Sequence, residues 1–209
     1  DSKSPQAKIV KILGDMGENN AEMNSIMYEY GLPVDFPQDV INESELVPEV
    51  ISEKEIKSRR DMRDVTTITI DPVDARDFDD ALSLKVINDN NFEIGVHIAD
   101  VSHYVIPDTK LDEEAYERAT SVYLVDRCVP MLPERLSNGI CSLKPNEDRL
   151  AFSVVFNMDS NGRILKEWHG KTVIHSDKRF AYEDAQEIIE GNDTSYTGED
   201  RVYPLMVNQ

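Results

Sequence analysis

The sequence has one tryptophan, two cysteines and nine glycines in 209 residues, and lysine plus arginine number 22 against 41 acidic residues. Each shortage excludes something. Cys128 and Cys141 are too few for a disulfide framework and are not spaced as a Cys-x-x-Cys metal or redox pair, so a reducing cytoplasm is the expected compartment. No run approaches the roughly 18 apolar residues that span a bilayer. The opening Asp1-Ser-Lys-Ser-Pro5 carries no apolar signal core, which sets aside membrane and secretory readings. Internal repeats and low-complexity tracts are missing as well. The chain has 40% hydrophobic residues, enough at this length to bury a core without staples.

The shortage of bases is uneven. Residues 1–60 hold 12 acids and 7 bases, residues 61–160 hold 20 and 9, and residues 161–209 hold 9 and 6, so most of the net charge of −19 lies in the middle. A surface of that sign repels phosphate backbones unless a divalent cation is bound to it.

Periodicity supplies the elements. Ala7 to Gly14 alternates like a strand. Met23, Ile26, Met27 and Tyr30 recur at helical spacing before Gly31 and Pro33, and residues 37–63 read as charged helical connectors. Strands are expected at Thr66–Ile70, Ala81–Ile87 and Phe92–Ile98, the last two forming a hairpin across Asn88–Asn91. Asp108 is the expected cap of a helix burying Leu111, Ala115 and Ala119. A second hairpin joins Leu150–Met158 to Ile164–Ile174 through Asp159–Gly162, and a helix follows from Tyr182 to Glu190. Both ends read as cut from something longer. The fold class is α+β, mainly antiparallel sheet with peripheral helices.

Chemistry concentrates between two of those strands. Asp71, Asp74, Asp77, Asp79 and Asp80 occupy five of ten positions, with Asp71 closing one strand and Asp79 and Asp80 opening the next. Carboxylates held so close repel one another unless a cation neutralises them. Hard oxygen donors suit magnesium or manganese, which take few carboxylates, several waters and a substrate phosphate. A helix-loop-helix calcium site is disfavoured, because Arg76 stands where its glycine belongs and the flanks are strands. An acidic solvated loop is the bland alternative, and Phe78, Ala81 and Leu82 embed the acids too deeply in apolar sequence for it. His97 and His103 bracket Asp100 at intervals of three, yet the alternation makes His97 a structural strand residue rather than a metal ligand. Cys128 and Cys141 read as small core residues. Arg127, Arg135, Lys144 and Arg149 are candidates to neutralise phosphates beside the acids.

The run Asp71-Pro-Val-Asp-Ala-Arg-Asp-Phe-Asp-Asp-Ala81 resembles the signature of the RNase II and RNase R exoribonuclease family. Further blocks follow in order: Val96 to Val105, Thr120 to Val125, and Val129 to Pro145, with Tyr30 to Pro37 similar to the segment that joins cold-shock barrels to the catalytic domain. Thr120-Ser-Val-Tyr123 and Ser137 to Cys141 lean toward the RNase R branch.

The resemblance implies a processive, magnesium-dependent hydrolase (manganese as substitute) that takes the 3′ end of single-stranded RNA and releases nucleoside 5′-monophosphates. By position, Asp71, Asp77, Asp79 and Asp80 match the family's catalytic, metal-holding aspartates, Asp74 does not, and Tyr123 matches an aromatic that stacks on an RNA base. It divides the chain into the end of a cold-shock barrel at 1–14, a helical linker at 15–60 and the N-terminal part of the RNB catalytic domain at 61–209. An essential arginine, a second stacking aromatic and a basic tail of the family have no counterpart here, so weak or no activity is expected of this chain alone. A non-catalytic acidic module that binds calcium or a basic protein partner is the rival reading. An inactive relative acting as a regulator is another, disfavoured by the full set of four aspartates.

Overall fold

The computed structural model describes residues 7–193, 195–196, 200 and 202–207. Three short helices, α1 (Asn19–Glu29), α2 (Gln38–Leu46) and α3 (Glu53–Ser58), precede the first strands, β1 (Arg60–Asp61), β2 (Thr67–Asp71), β3 (Asp80–Asn88) and β4 (Asn91–Ala99). Next come α4 (Lys110–Arg118), a two-strand ribbon of β5 (Val122–Tyr123) and β6 (Cys128–Val129), and one π-helical turn at Arg135–Ile140. The strands β7 (Asp148–Asp159), β8 (Ile164–His175) and β9 (Lys178–Ala181) follow. Helices α5 (Tyr182–Ile189) and α6 (Val202–Val207) close the described chain.

The main sheet runs β1-β8-β7-β4-β3-β2-β9. Its four inner pairings are antiparallel and the two edge pairings, β1 with β8 and β2 with β9, are parallel. The expected class holds, with parallel edges that periodicity could not show, since a parallel partner arrives from far along the chain. Alternation then sorts the side chains. Ala81, Ala99, Ala151, Val155 and Ile174 meet Val40 of α2, Leu111 and Ala115 of α4, and Leu132, Leu136 and Leu143 on one face. Ile68, Leu84 and Phe180 meet Ile188 and Met206 on the other. Each fully buried Leu, Ile or Phe contributes about 1.5–3 kcal/mol.

A polar ladder crosses the middle of the sheet. His97 is fully buried, with Nδ1 2.6 Å from Ser153 Oγ and Nε2 2.8 Å from Ser83 Oγ, and Ser153 Oγ lies 2.6 Å from Thr172 Oγ1. Burial pulls the His97 pKa down to about 4. The ring lies over Gly95, where a Cβ would sit 2.6 Å from Nε2 and 2.4 Å from Ser83 Oγ, so only glycine leaves room for it. His97 is thus a structural residue. His103 packs edge-on against Tyr104, 3.6 Å from Glu55, and Asp100 pairs with buried Arg59 at 2.7 Å, so the three do not form a triad.

Four expectations are corrected. Residues 7–14 form no strand, with Ile9, Val10 and Ile12 about 80% exposed, because no neighbouring strand offers a ladder. In α1 only Met27 of the expected stripe is buried; Ile26 and Tyr30 face outward. Thr109, not Asp108, caps α4, its hydroxyl accepting from Asp112 N, and of the expected buried face Leu111 and Ala115 are buried while Ala119 lies exposed just past the helix end. Cys128 is exposed on β6, while Cys141 is buried as expected.

Candidate metal and RNA site

Strands β2 and β3 pair antiparallel, and residues 72–79 connect them. That loop is longer than a hairpin turn needs, so its shape must come from elsewhere. Hydrogen bonds from outside the loop fix it. Arg179 on β9 donates through Nη2 to Pro72 O at 2.6 Å and Val73 O at 2.7 Å. Ser142 donates to Arg76 O at 2.9 Å and accepts from Phe78 N at 3.0 Å. Leu143 N donates to Phe78 O at 2.8 Å. Phe78 is buried under this strap, and Ala99 N donates to Asp79 O at 2.9 Å, which aligns the entry into β3.

The pinned loop sets the carboxylates at one end of the sheet. Asp71, the last residue of β2, is 8% exposed, and its Oδ2 is buried with no hydrogen-bond partner. Burial raises its pKa first of all; Asp80 and Asp77 add to the rise, while Thr69 and Arg179 oppose it. Loss of solvent around its carboxyl raises Asp79 likewise, reinforced by Asp77 and Asp80. Asp71, Asp77, Asp79 and Asp80 therefore share one electrostatic neighbourhood. Asp74 lies exposed at the loop's tip.

Tyr123 reaches the same place from β5. Its hydroxyl donates to Asp77 Oδ2 at 2.5 Å, and the residue is 66% exposed, leaving ring surface open to a planar partner. The bond to Asp77 holds the phenol pKa well above its usual value. Sequence reasoning named these five residues but missed Ser142 and Arg179, which shape the loop. Ser142 lies inside the block from Val129 to Pro145, whereas Arg179 is over a hundred residues from its carbonyl partners and carries no local signal.

Among the described residues no three His, Cys, Asp or Glu side chains close into a ready-made metal cage. The donor set fits a hydrated hard cation instead, since magnesium binds through one or two carboxylates and keeps several waters and substrate phosphate oxygens. The orphaned, buried Oδ2 of Asp71 is the clearest mark of such a fit, because a buried acceptor without a donor is costly. Asp71, Asp79 and Asp80 are the groups that would hold the ion, with Asp77 released from Tyr123 or shared with it.

Of the four candidate bases, three are occupied within the chain. Arg127 pairs with Asp126, Arg135 with Glu49 and carbonyls of α2 and its end, and Arg149 with Glu147. Lys144 has no ion pair among the described residues.

Fold and site together define an α+β domain that presents a carboxylate cluster and an exposed aromatic at one end of a mixed sheet. The RNB domain model matches residues 59–206, and the chain belongs to that family. A cold shock domain model matches residues 1–37. Ribonuclease R of Thermotoga maritima is 46% identical over 190 residues, covering 90% of this chain and 27% of the relative. DIS3-like exonuclease 2 of Schizosaccharomyces pombe is 47% identical over 192 residues, 91% of this chain and 21% of the relative. The chain thus spans about a quarter of the length of these relatives. Mycoplasma genitalium RNase R, solved with ribose-methylated single-stranded RNA, superposes with a TM-score of 0.82 at 29% identity, covering 93% of this chain and 30% of that one. An Arabidopsis thaliana relative 41% identical over 191 residues, 91% of this chain and 18% of its own, is named an inactive exonuclease, so identity at this level does not establish activity.

Proposed function

We propose that this chain contributes the acidic, metal-holding part of a processive 3′-to-5′ exoribonuclease of the RNase R type, which hydrolyses single-stranded RNA to nucleoside 5′-monophosphates. The observation that carries the reading is the pinned 72–79 loop, which gathers Asp71, Asp77, Asp79 and Asp80 beside the exposed ring of Tyr123. A bound magnesium or manganese pair supplies a polarised phosphodiester and an activated water. The chain's own part is to hold the carboxylates in place, and to seat the terminal base on Tyr123, where stacking contributes about 1–3 kcal/mol per base. The reading assigns residues 1–14 to the end of a cold-shock barrel, 15–60 to a linker and 61–209 to the first part of the catalytic domain. The exposed free thiol of Cys128 suits a reducing cytoplasm. Among the described residues no helix is long and apolar enough to cross a membrane.

Calorimetric titration of magnesium and of manganese into the chain, beside an Asp79→Asn/Asp80→Asn double variant, tests the proposal. Saturable binding that the variant loses supports it. Binding absent with and without a short RNA, or unchanged in the variant, refutes it.

A further inference from the structure

The loop that carries the aspartates has a second side. Ala75, Arg76 and Phe78 line a cleft of about 720 Å³ together with Lys144, Arg179 and the turn around Arg135. The lining includes four cations, Arg76, Arg135, Lys144 and Arg179, and two carboxylates, Glu134 and Glu147. Arg135 is paired with Glu49 and Glu147 with Arg149, both outside the cleft. What remains is Arg76, Lys144 and Arg179 against Glu134 alone, and none of those three cations has an ion pair among the described residues.

A surplus of two positive charges inside a protein of charge −19 is out of keeping with its surroundings. Arg179 lies near enough to Asp71 to lower its pKa, but no acidic side chain among the described residues forms an ion pair with any of the three cations. Arg179 is fixed rather than mobile: Nη2 is bound to two carbonyls, its guanidinium lies 5.2 Å over the Phe78 ring, and its Nε is buried with no hydrogen-bond partner. Lys144 directly follows the Ser142–Leu143 strap that pins the loop. Arg179 is therefore a preorganised donor, and the backbone that carries Lys144 follows a pinned segment.

We propose that this cleft binds a phosphate group. Guanidinium and ammonium donors around an open, shallow cleft match a tetrahedral, polyanionic ligand, and a phosphate monoester carries about −1.5 to −2 near neutral pH, close to the surplus among the lining residues. Position along the loop gives the site its use. Arg76 and Phe78 face the cleft, while Asp77 between them turns to Tyr123. A phosphate held there lies on the same short loop as the carboxylates. It belongs either to the backbone of bound RNA or to a released nucleotide; this assignment of source rests on the exoribonuclease reading, whereas the anion site itself does not.

Titration of sodium phosphate and of adenosine 5′-monophosphate into the chain, in EDTA so that no metal contributes, reads the site by calorimetry, with adenosine as the uncharged control. Wild type is expected to bind both phosphates and not adenosine. An Arg76→Gln/Lys144→Gln double variant should lose at least about tenfold in affinity, and Arg76→Lys/Lys144→Arg should retain binding; urea midpoints confirm that each is folded. The salt dependence of binding to a short single-stranded RNA separates the sources. A backbone phosphate in the cleft predicts that the slope of log K against log salt shrinks by about 0.7 in the Gln variant for each phosphate it no longer neutralises. An unchanged slope with lost nucleotide binding assigns the cleft to the released monophosphate. Failure of wild type to bind phosphate, or equal binding by the Gln variant, overturns the proposal. The metal titration of the aspartate variants is a separate measurement, so either proposal fails without the other.

Discussion

Replacing Ser142 by alanine separates holding the chain together from holding the site together. Ser142 is fully buried, and its hydroxyl accepts from Phe78 N and donates to Arg76 O. Alanine leaves Phe78 N without a partner in a closed environment, a penalty of about 1–3 kcal/mol, and deletes a second bond of net value about 1 kcal/mol. The expected loss is therefore roughly 2–4 kcal/mol, which a domain stable by about 5–15 kcal/mol survives. Urea denaturation measures it as a lower midpoint at unchanged slope. Because the two bonds flank Asp77, the same variant should weaken magnesium binding. A matched control is Ile188→Ala, which opens a cavity in the opposite core beneath α5 at a cost of about 2–5 kcal/mol and touches no part of the loop. Magnesium affinity should fall in Ser142→Ala and hold in Ile188→Ala. Equal affinities in the two variants would refute the claim that the strap positions the carboxylates.

Acid should destabilise the protein through His97. Its pKa falls from 6.5 to about 4 on folding, so the unfolded chain binds the extra proton, and stability present above pH 6.5 drains away as pH falls toward 4. The full span is worth about 3 kcal/mol, and His97→Gln should flatten urea midpoints measured between pH 4 and 7. Arg59→Met removes the nearer of two cations from Asp100, which is 4% exposed and keeps Lys171 at 3.8 Å, and should cost about 3–5 kcal/mol in thermal or urea unfolding; a loss below about 1 kcal/mol would show that Lys171 suffices to neutralise Asp100. Tyr123→Phe removes the bond to Asp77 and keeps the ring, so single-stranded RNA binding should persist and magnesium binding should tighten. Tyr123→Ala should weaken RNA binding by about 1–3 kcal/mol in a fluorescence titration, and no change there would dismiss stacking.

Much of this was legible in the residues because the signals were local. Alternation placed β3, β4, β7 and β8 within a residue or two, although β3 and β8 bury side chains on both faces over part of their length. The acidic loop showed itself as carboxylates bounded by two strands. What escaped was set by distant partners. The parallel pairing of β2 with β9 joins residues over a hundred positions apart, and neither strand records its neighbour. The exposure of Cys128 follows from the ribbon it forms with Tyr123, a two-residue pairing too short to leave a pattern. The strand expected over residues 7–14 failed for the converse reason: its alternation is real, but a strand exists only where another strand completes its ladder.

The same contrast bears on the proposal that an acidic chain takes a polyanionic partner. Net charge is a sum over the surface, whereas recognition is decided within about 10 Å, the screening length near physiological salt. Within that distance, the loop from Asp71 to Asp80 offers two environments of opposite character. On one side, Asp71 and Asp79 are held with raised proton affinity, a strain that a divalent cation relieves and turns into attraction for phosphate. On the other, Arg76, Lys144 and Arg179 attract phosphate without a metal. The negative charge elsewhere then acts as a filter: polyanions gain nothing from general contact with this chain, so binding should concentrate where the metal and the three cations are. Selective loss of RNA affinity in EDTA, with the remaining affinity abolished by Arg76→Gln/Lys144→Gln, is the pattern this division of labour requires.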